Sequence, residues 1–294
     1  MWNWFRWFIR FGLTTRRRRT AGLRPEQLEH RVVLSANVTA IVRGGSLIVT
    51  GDDPVAESDD AGAEVYVRQT APGMFFVKCH GTLNGTSDNE VLFSGVTRDL
   101  RFSFGSGNDS LTFNQTSTIT VSGSIRIDGG GGYNTVSHEF HNDALNAAAA
   151  AGSLKVGGSL SILSAGGQFV SLSNLSVRGN VSIRNLTNSA EMFTKVRIDG
   201  SERTRLSQIE GDLLIANGPG QNGHGDEIVL DSVAVKGSIT IRNQAKNAFV
   251  ELGSSTATTT VGGNLQIMNG PGELYQTTLK SVEVKKDVHI KNQG

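Results

Sequence analysis

The sequence predicts an all-β fold in which a short unit is repeated along the chain, and three observations carry this prediction. The chain of 294 residues contains 36 glycines but only 5 prolines. A seven-residue pattern recurs, with apolar residues at its first, fifth and seventh positions and usually a glycine at its third. In five copies an asparagine stands two residues after the last apolar residue. Internal repetition of this kind indicates the architecture before any single motif does.

The copies of the pattern begin at unequal intervals of 21 to 35 residues, with a mean near 27. They are Val121–Ile127, Val156–Ile162, Val177–Ile183, Ile209–Ile215, Val235–Ile241, Val261–Ile267 and Val284–Ile290. Alternation places their apolar residues on one face, so we interpret each copy as a β-strand whose glycine permits a bend. The asparagines turn the chain and are expected to stack as an amide ladder. They are Asn185, Asn217, Asn243, Asn269 and Asn292.

A unit of this length cannot bury its apolar face alone, and stacking neighbouring units along an axis solves that problem. A propeller blade needs about 40–45 residues, which is longer than the unit observed. We therefore predict a β-solenoid and, within that class, a right-handed parallel β-helix. Its regular repeats are expected over 153–294, and an irregular β-rich part of the solenoid is expected over 37–140.

Strand-like runs precede the first copy of the pattern, and a helical stretch interrupts the copies. The runs are Ser46–Thr50, Glu64–Val67, Met74–Lys78, Val91–Phe93 and Leu100–Phe104. The segment 141–152 is rich in alanine, and it predicts a short helix near 143–151. Asn142 or Asp143 can cap this helix, and Gly152 ends it.

Residues 1–36 differ sharply in composition from the rest of the chain. They hold all three tryptophans and eight arginines, against two acidic residues. Tryptophan and arginine suit the headgroup region of a bilayer, so we expect a short N-terminal helix that targets export or contacts a membrane. The alternative is a disordered basic tail. The remaining chain has a small excess of acidic residues, which argues against nucleic acid as the partner.

The end of this segment carries a recognisable motif. Leu28, Glu29, Arg31, Leu34, Ser35 and Ala36 form a Leu-Glu-x-Arg stretch that is followed by apolar residues and Ser-Ala. The stretch resembles the LEPR-type N-terminal motif of large exported bacterial surface proteins, and the planctomycete versions are the most similar. His30 stands where many members have proline. The resemblance implies export and residence at the cell surface or outside the cell, and it implies no activity.

A glycine-rich stretch, Gly105-Ser106-Gly107-Asn108-Asp109-Ser110-Leu111, lies between the irregular and the regular parts. It resembles one unit of the calcium-binding nonapeptide of RTX proteins, and this resemblance implies Ca²⁺ at Asn108 and Asp109. Calcium in that motif needs ligands from directly adjacent short turns. The corresponding position of the next glycine-rich stretch is Asn134, which follows Asp109 by 25 residues rather than by nine. The alternative is therefore a tight turn between two strands, and we expect no other cofactor.

The candidate catalytic motifs are incomplete. His138 and His141 are one residue short of the spacing that binds zinc in His-Glu-x-x-His. The Gly-His-Gly at His224 resembles the corresponding element of polygalacturonases, but the upstream carboxylates of that family are absent at suitable spacing. Cys79 and His80 lack a third group that would orient a nucleophile, so we interpret Cys79 as a small buried residue.

Two functions remain. The first is a non-catalytic structural or adhesion protein whose polar strand faces meet an extracellular polysaccharide, a surface protein or its own copies. The second is a polysaccharide lyase or glycoside hydrolase on the same scaffold. This enzyme would need clustered carboxylates on adjacent coils, and the candidates are Asp199, Asp212, Asp226 and Asp231. The last repeat ends at Ile290 without a visible cap, so we expect this C-terminal coil to self-associate, to meet a partner or to be followed by more protein.

Overall fold

A computed structural model describes residues 37–51, 62–87, 89–114, 117–138, 152–186, 193–200, 206–219, 225–254, 258–272 and 274–293. The secondary structure of these residues consists of β-strands without helix, which confirms the all-β class. The chain divides into two units, Met1–Val33 and Leu34–Gly294, and the strands that the structure describes belong to the second. The segment 1–36 and the predicted helix near 143–151 lie outside the described residues.

Seven strands form the N-terminal part of this unit. They are β1 (Asn37–Arg43), β2 (Ser46–Gly51), β3 (Glu64–Ala71), β4 (Met74–Cys79), β5 (Thr82–Leu83), β6 (Glu90–Phe93) and β7 (Leu100–Ser103). Each of the strand-like runs predicted before residue 105 falls on one of these strands, namely β2, β3, β4, β6 and β7.

The following strands come in groups of three. The first groups are β8 (Ser110–Phe113), β9 (Ile119–Val121), β10 (Ile125–Asp128), β11 (Tyr133–His138), β12 (Leu154–Val156), β13 (Leu160–Ser164), β14 (Gly167–Ser173), β15 (Leu175–Val177) and β16 (Val181–Asn185). The next are β17 (Thr194–Asp199), β18 (Ser207–Ile209), β19 (Leu213–Asn217), β20 (Asp226–Asp231), β21 (Val233–Val235) and β22 (Ile239–Asn243). The last are β23 (Asn247–Leu252), β24 (Thr259–Val261), β25 (Leu265–Asn269), β26 (Leu274–Leu279), β27 (Val282–Val284) and β28 (Val288–Asn292).

The strands assemble into three sheets, and each group of three contributes one strand to every sheet. Sheet A has 11 strands and ends at β28, sheet B has 10 and ends at β26, and sheet C has 7 and ends at β27. From β8 onward, neighbouring strands within each sheet pair in parallel, as β16 with β19 and β19 with β22. This is a β-helix-like repeat of parallel strands, with one coil per group, as the sequence pattern predicts.

The seven-residue pattern is not one strand, and this corrects the interpretation made from the sequence. Val235 ends β21 of sheet C, Ile239 begins β22 of sheet A, and a tight turn lies between them. The same division holds in the other copies, for example between Val177 and Val181. The glycine therefore lies in a corner between two sheets rather than within a strand.

That corner carries a ladder of hydrogen bonds from coil to coil. The backbone N–H of Asp212 donates to Asn180 Oδ1 at 2.9 Å, and that of Ser238 donates to Asp212 Oδ1 at 2.8 Å. The glycine leaves room for these side chains, because a Cβ added to Gly211 would lie 2.1 Å from Asn180 Oδ1. The fourth position of all seven copies is serine, asparagine or aspartate, which are the short side chains that reach a neighbouring backbone N–H.

The predicted asparagine ladder is confirmed for four of its five members, whereas Asn185 Nδ2 donates to the Thr194 hydroxyl instead. Asn217 Nδ2 donates to Asn243 Oδ1 at 3.0 Å, and Asn243 Nδ2 donates to Asn269 Oδ1 at 3.3 Å. Asn269 Nδ2 continues the ladder to Asn292 Oδ1 at 2.8 Å. Asn217, Asn243 and Asn269 are buried, and the ladder gives their amide groups partners that water cannot supply there.

The interior is filled by the apolar residues that alternate with outward-facing polar ones. Ile183, Ile215 and Ile241 stack on successive strands of sheet A and are fully buried. Val170, Val196 and other residues of sheet B, together with those of sheet C, complete the same core. Removal of this apolar surface from water is the main term that stabilises the stacked coils.

The N-terminal end of the stack is closed by antiparallel strands and by two side-chain amides. β1 pairs with β2, and β3 with β4, in antiparallel fashion. Asn84 accepts from the Ala40 N–H at 2.8 Å and donates to the Ala40 carbonyl at 3.0 Å. Gln69 makes the same pair of bonds to Thr120 of β9, at 2.6 and 3.3 Å. Both amides satisfy edge groups that would otherwise pair with another strand.

Candidate ligand-binding surface

Leu28, Glu29, Arg31, Leu34, Ser35 and Ala36 lie outside the described residues, so the predicted role of the export motif stays a prediction. Within the part of the chain that the structure describes, no helix is long and apolar enough to cross a membrane.

The glycine-rich turn places Asn108 and Asp109 against the backbone of neighbouring strands. Asn108 Oδ1 accepts from the Tyr133 N–H at 2.7 Å, and Asp109 Oδ1 accepts from the Ala63 N–H at 2.7 Å. The Asp109 N–H donates in turn to Asn134 Oδ1 at 3.2 Å, which joins the two glycine-rich turns. One oxygen of each side chain thus holds a backbone N–H in the turn that the sequence offers as the alternative, and the calcium site that the resemblance implies stays a prediction.

The four candidate carboxylates occupy three different corners of the coil. Asp226 is buried at the start of β20 and accepts from the Thr194 N–H at 3.1 Å. Asp212 lies in the ladder between sheets C and A, described above. Asp199 and Asp231 end neighbouring strands β17 and β20 of sheet B, and the structure places these two in direct register.

The Asp199 carboxylate is engaged at both oxygens. Ser173 Oγ donates to Oδ1 at 2.6 Å, and Arg197 Nε donates to Oδ2 at 2.8 Å. Asp231 Oδ1 accepts from the hydroxyl of the adjacent Ser232 at 3.1 Å. This pair therefore organises the corner between sheets B and C through hydrogen bonds to its own surroundings.

Cys79 and His138 are both buried. Burial raises the pKa of the Cys79 thiol, which disfavours the thiolate that a nucleophile requires. His138 Nδ1 donates to the Ser173 carbonyl at 2.7 Å, and burial lowers the pKa of its imidazole. Glu139 and His141 lie outside the described residues. Among those that are described, no three His, Cys, Asp or Glu side chains group closely enough to hold a metal ion.

A groove of about 680 Å³ lies on sheet B over the coils of β20, β23 and β26. Phe249, Tyr275 and Leu274 line its apolar part, and Glu227 borders it. The Tyr275 hydroxyl donates to the Ala245 carbonyl at 3.0 Å, which fixes the ring at the wall. An aromatic ring beside a polar group is the combination that binds the face and the hydroxyls of a sugar.

Charges on the sheet B side occur mainly as ion pairs. Lys195 Nζ lies 2.9 Å from Glu227 Oε2 on the next strand, and Lys280 Nζ lies 2.8 Å from Glu251 Oε1. Arg197 pairs with Asp199, as described above. Opposite charges at these distances compensate each other, so the face presents little net charge.

The outer face of sheet A has a different arrangement. On strands β16, β22 and β28, the outward position before the ladder asparagine is Arg184, Arg242 and Lys291, all exposed. On the strands adjacent to these, the same position holds Leu163, Ala216 and Met268. We call this set of six residues the basic column.

A second outward column runs parallel to the basic column and is mainly polar. It consists of Ser161, Ser182, Leu214, Thr240, Gln266 and His289. The sequence already indicated that polar residues face outward, but it did not single out the basic column. The available signal was the residue between the last isoleucine and the asparagine of each repeat, as in Ile183-Arg184-Asn185.

The fold and these two surfaces define a chain of stacked parallel strands with a paired-charge face and a basic face. Neither a protein-family model nor a curated protein nor a solved structure matches the chain.

Proposed function

We propose that this chain is a non-catalytic structural or adhesion protein, exported to the cell surface or the extracellular medium, that binds polysaccharide or matrix. The observation that carries the proposal is that the candidate catalytic carboxylates are engaged in hydrogen bonds within the scaffold. Asp199, Asp212 and Asp226 accept hydrogen bonds that hold neighbouring strands and turns together. Side chains committed in this way stabilise a scaffold, whereas a glycosidase needs one carboxyl group as acid and another as base or nucleophile.

The export part of the proposal rests on the N-terminal segment. Its arginines, tryptophans and Leu-Glu-x-Arg motif resemble those of exported planctomycete surface proteins, and a membrane contact of this segment fits the same composition. The finer description of the fold also belongs to the proposal. We propose a right-handed parallel β-helix, because crossover connections between parallel strands of one sheet are right-handed in about 98% of cases.

Self-association is proposed through the coil of β26, β27 and β28. Leu279, Val288 and Ile290 are 40%, 49% and 42% exposed there, although they follow core positions of the preceding coils. A second copy that covers these side chains would remove them from water and pair the strand edges.

A polysaccharide lyase or glycoside hydrolase is the second candidate, and the register of Asp199 with Asp231 favours it. Incubation of the full-length chain with a panel of polysaccharides, followed by pull-down and mass analysis of the products, separates the two functions. Binding with unchanged glycan length supports the scaffold. Shortened products that disappear in the Asp231→Asn variant would establish the enzyme and overturn the proposal.

A further inference from the structure

The cations of the basic column differ from those of the sheet B side in their charged neighbours. Among the described residues, no carboxylate oxygen lies within ion-pair distance of Arg184, Arg242 or Lys291. Lys195, Arg197 and Lys280 on the sheet B side, by contrast, form close ion pairs. Because an uncompensated exposed cation attracts anions over the screening length of the solution, the part of sheet A from β16 to β28 is the face that would attract a polyanion.

The register fixes the spacing of these charges. Arg184 lies on β16, Arg242 on β22 and Lys291 on β28, so one strand separates each cation from the next. Neighbouring strands are about 4.8 Å apart, so successive cations recur about every 10 Å along the column. A sugar unit in an extended glycan is comparable in length to one strand spacing. The period therefore corresponds to one charge on every second sugar.

The residues between the cations complement the intervening sugars. Leu163, Ala216 and Met268 are half-buried and present apolar atoms next to the guanidinium and ammonium groups. The parallel column offers hydroxyl and amide groups from Ser182, Thr240 and other residues, which donate to and accept from sugar hydroxyls. The face thus alternates apolar and cationic positions beside a track of hydrogen-bonding groups.

This arrangement fits a nucleic acid poorly. A DNA duplex carries one charge per about 1.7 Å of its axis, which is far denser than the basic column. Single strands are bound through aromatic side chains that stack on the bases. The two outward columns from β13 to β28 contain no aromatic residue within the described part of the chain, apart from the imidazole of His289.

We propose that the outer face of sheet A binds a linear acidic polysaccharide in which a charged sugar alternates with a neutral one. Arg184, Arg242 and Lys291 bind the carboxylate or sulfate groups, and the residues between them contact the neutral sugars. This inference rests on the proposed function, because it names the glycan class and the face that binds it.

The test measures binding of the full-length chain to labelled hyaluronan oligosaccharides by fluorescence anisotropy. Polygalacturonate, neutral dextran and an oligo-dT strand serve as comparison probes. The double variant Arg184→Gln/Arg242→Gln removes two cations from sheet A. The matched control Lys195→Gln/Lys280→Gln removes two cations from the sheet B side, so the net charge of both variants is equal. Thermal unfolding verifies that both are folded.

We expect hyaluronan to bind more weakly as salt rises, and the sheet A variant to lose about tenfold in affinity, as two solvent-exposed ion pairs account for. The control is expected to bind as the unmodified chain does. Equal losses in both variants, or tighter binding of polygalacturonate or oligo-dT than of hyaluronan, would overturn the inference. Dextran binding that both variants retain would overturn it while leaving the proposed function intact. Absence of binding to every glycan would overturn the inference and the polysaccharide-binding part of the proposed function, and would leave a structural or protein-binding role.

Discussion

Truncation of a ladder asparagine inside the stack should cost far more than truncation of its equivalent at the exposed end. Asn243 is 1% exposed, accepts from Asn217 at 3.0 Å and donates to Asn269 at 3.3 Å. Asn243→Ala therefore leaves one buried donor and one buried acceptor without these partners. Each of the two groups costs about 1–3 kcal/mol, so we expect a loss of about 2–6 kcal/mol in the free energy of unfolding.

Asn292→Ala is the matched control, because it removes the same side chain from the exposed strand β28. It deletes one hydrogen bond, from Asn269 Nδ2 at 2.8 Å. Water can replace that bond at the end of the stack, so we expect a loss of about 1 kcal/mol or less.

Urea unfolding followed by far-ultraviolet circular dichroism measures both losses. The midpoint should fall at a constant slope, since a changed slope would indicate that the coils unfold separately rather than together. The reasoning fails if the Asn243→Ala loss is no larger than the Asn292→Ala loss. That result would mean that the number of hydrogen bonds, and not their burial, sets the stability of the ladder.

Three further predictions concern the corner, the buried histidine and the terminal coil. Gly211→Ala should lower the free energy of unfolding by about 1–3 kcal/mol, because its Cβ would meet Asn180 Oδ1 at 2.1 Å; an unchanged midpoint in urea would contradict this. Burial lowers the pKa of His138, so the unfolded chain binds a proton first and stability should fall as pH drops below about 6.5. His138→Gln should flatten that part of the pH profile in thermal melts. Ile290→Lys should abolish concentration-dependent association in analytical ultracentrifugation, and an unmodified chain that stays monomeric would refute the association.

The repeat made the architecture predictable, but it concealed where each strand ends. Val235 and Ile239 both point inward, and the turn between them occupies three residues. A turn of three residues preserves the inward–outward alternation across the corner, so the period of two continues from one sheet into the next. The pattern therefore looks like a single strand, although it spans two. The invariably short polar residue at the fourth position, Ser238 in this copy, was the signal for a corner.

The candidate site was less accessible to sequence reasoning than the fold. Arg184 and Arg242 are distant in sequence, and they join one column because the coils between them return each strand to the same register. Coil lengths vary, so no fixed interval in the sequence brings such residues together. An individual motif, by contrast, is contiguous in the sequence, but the sequence does not show which groups its side chains contact in the fold. Asn108 and Asp109 have the composition of a calcium site, and in the fold one oxygen of each accepts from a backbone N–H of another strand or turn.

The net charge of +1 conceals a separation of charge between faces. Lys195 and Lys280 face carboxylates at less than 3 Å, so their fields cancel within a fraction of the screening length of about 8–10 Å. Arg184 and Arg242 face no such group among the described residues, so their fields extend into the solvent. An excess of acidic residues in the body argues against a polyanion only if charge is averaged over the whole surface. The basic column of sheet A considered alone favours binding of a polyanion, provided that the charges of that polyanion are as widely spaced as alternate strands of the sheet.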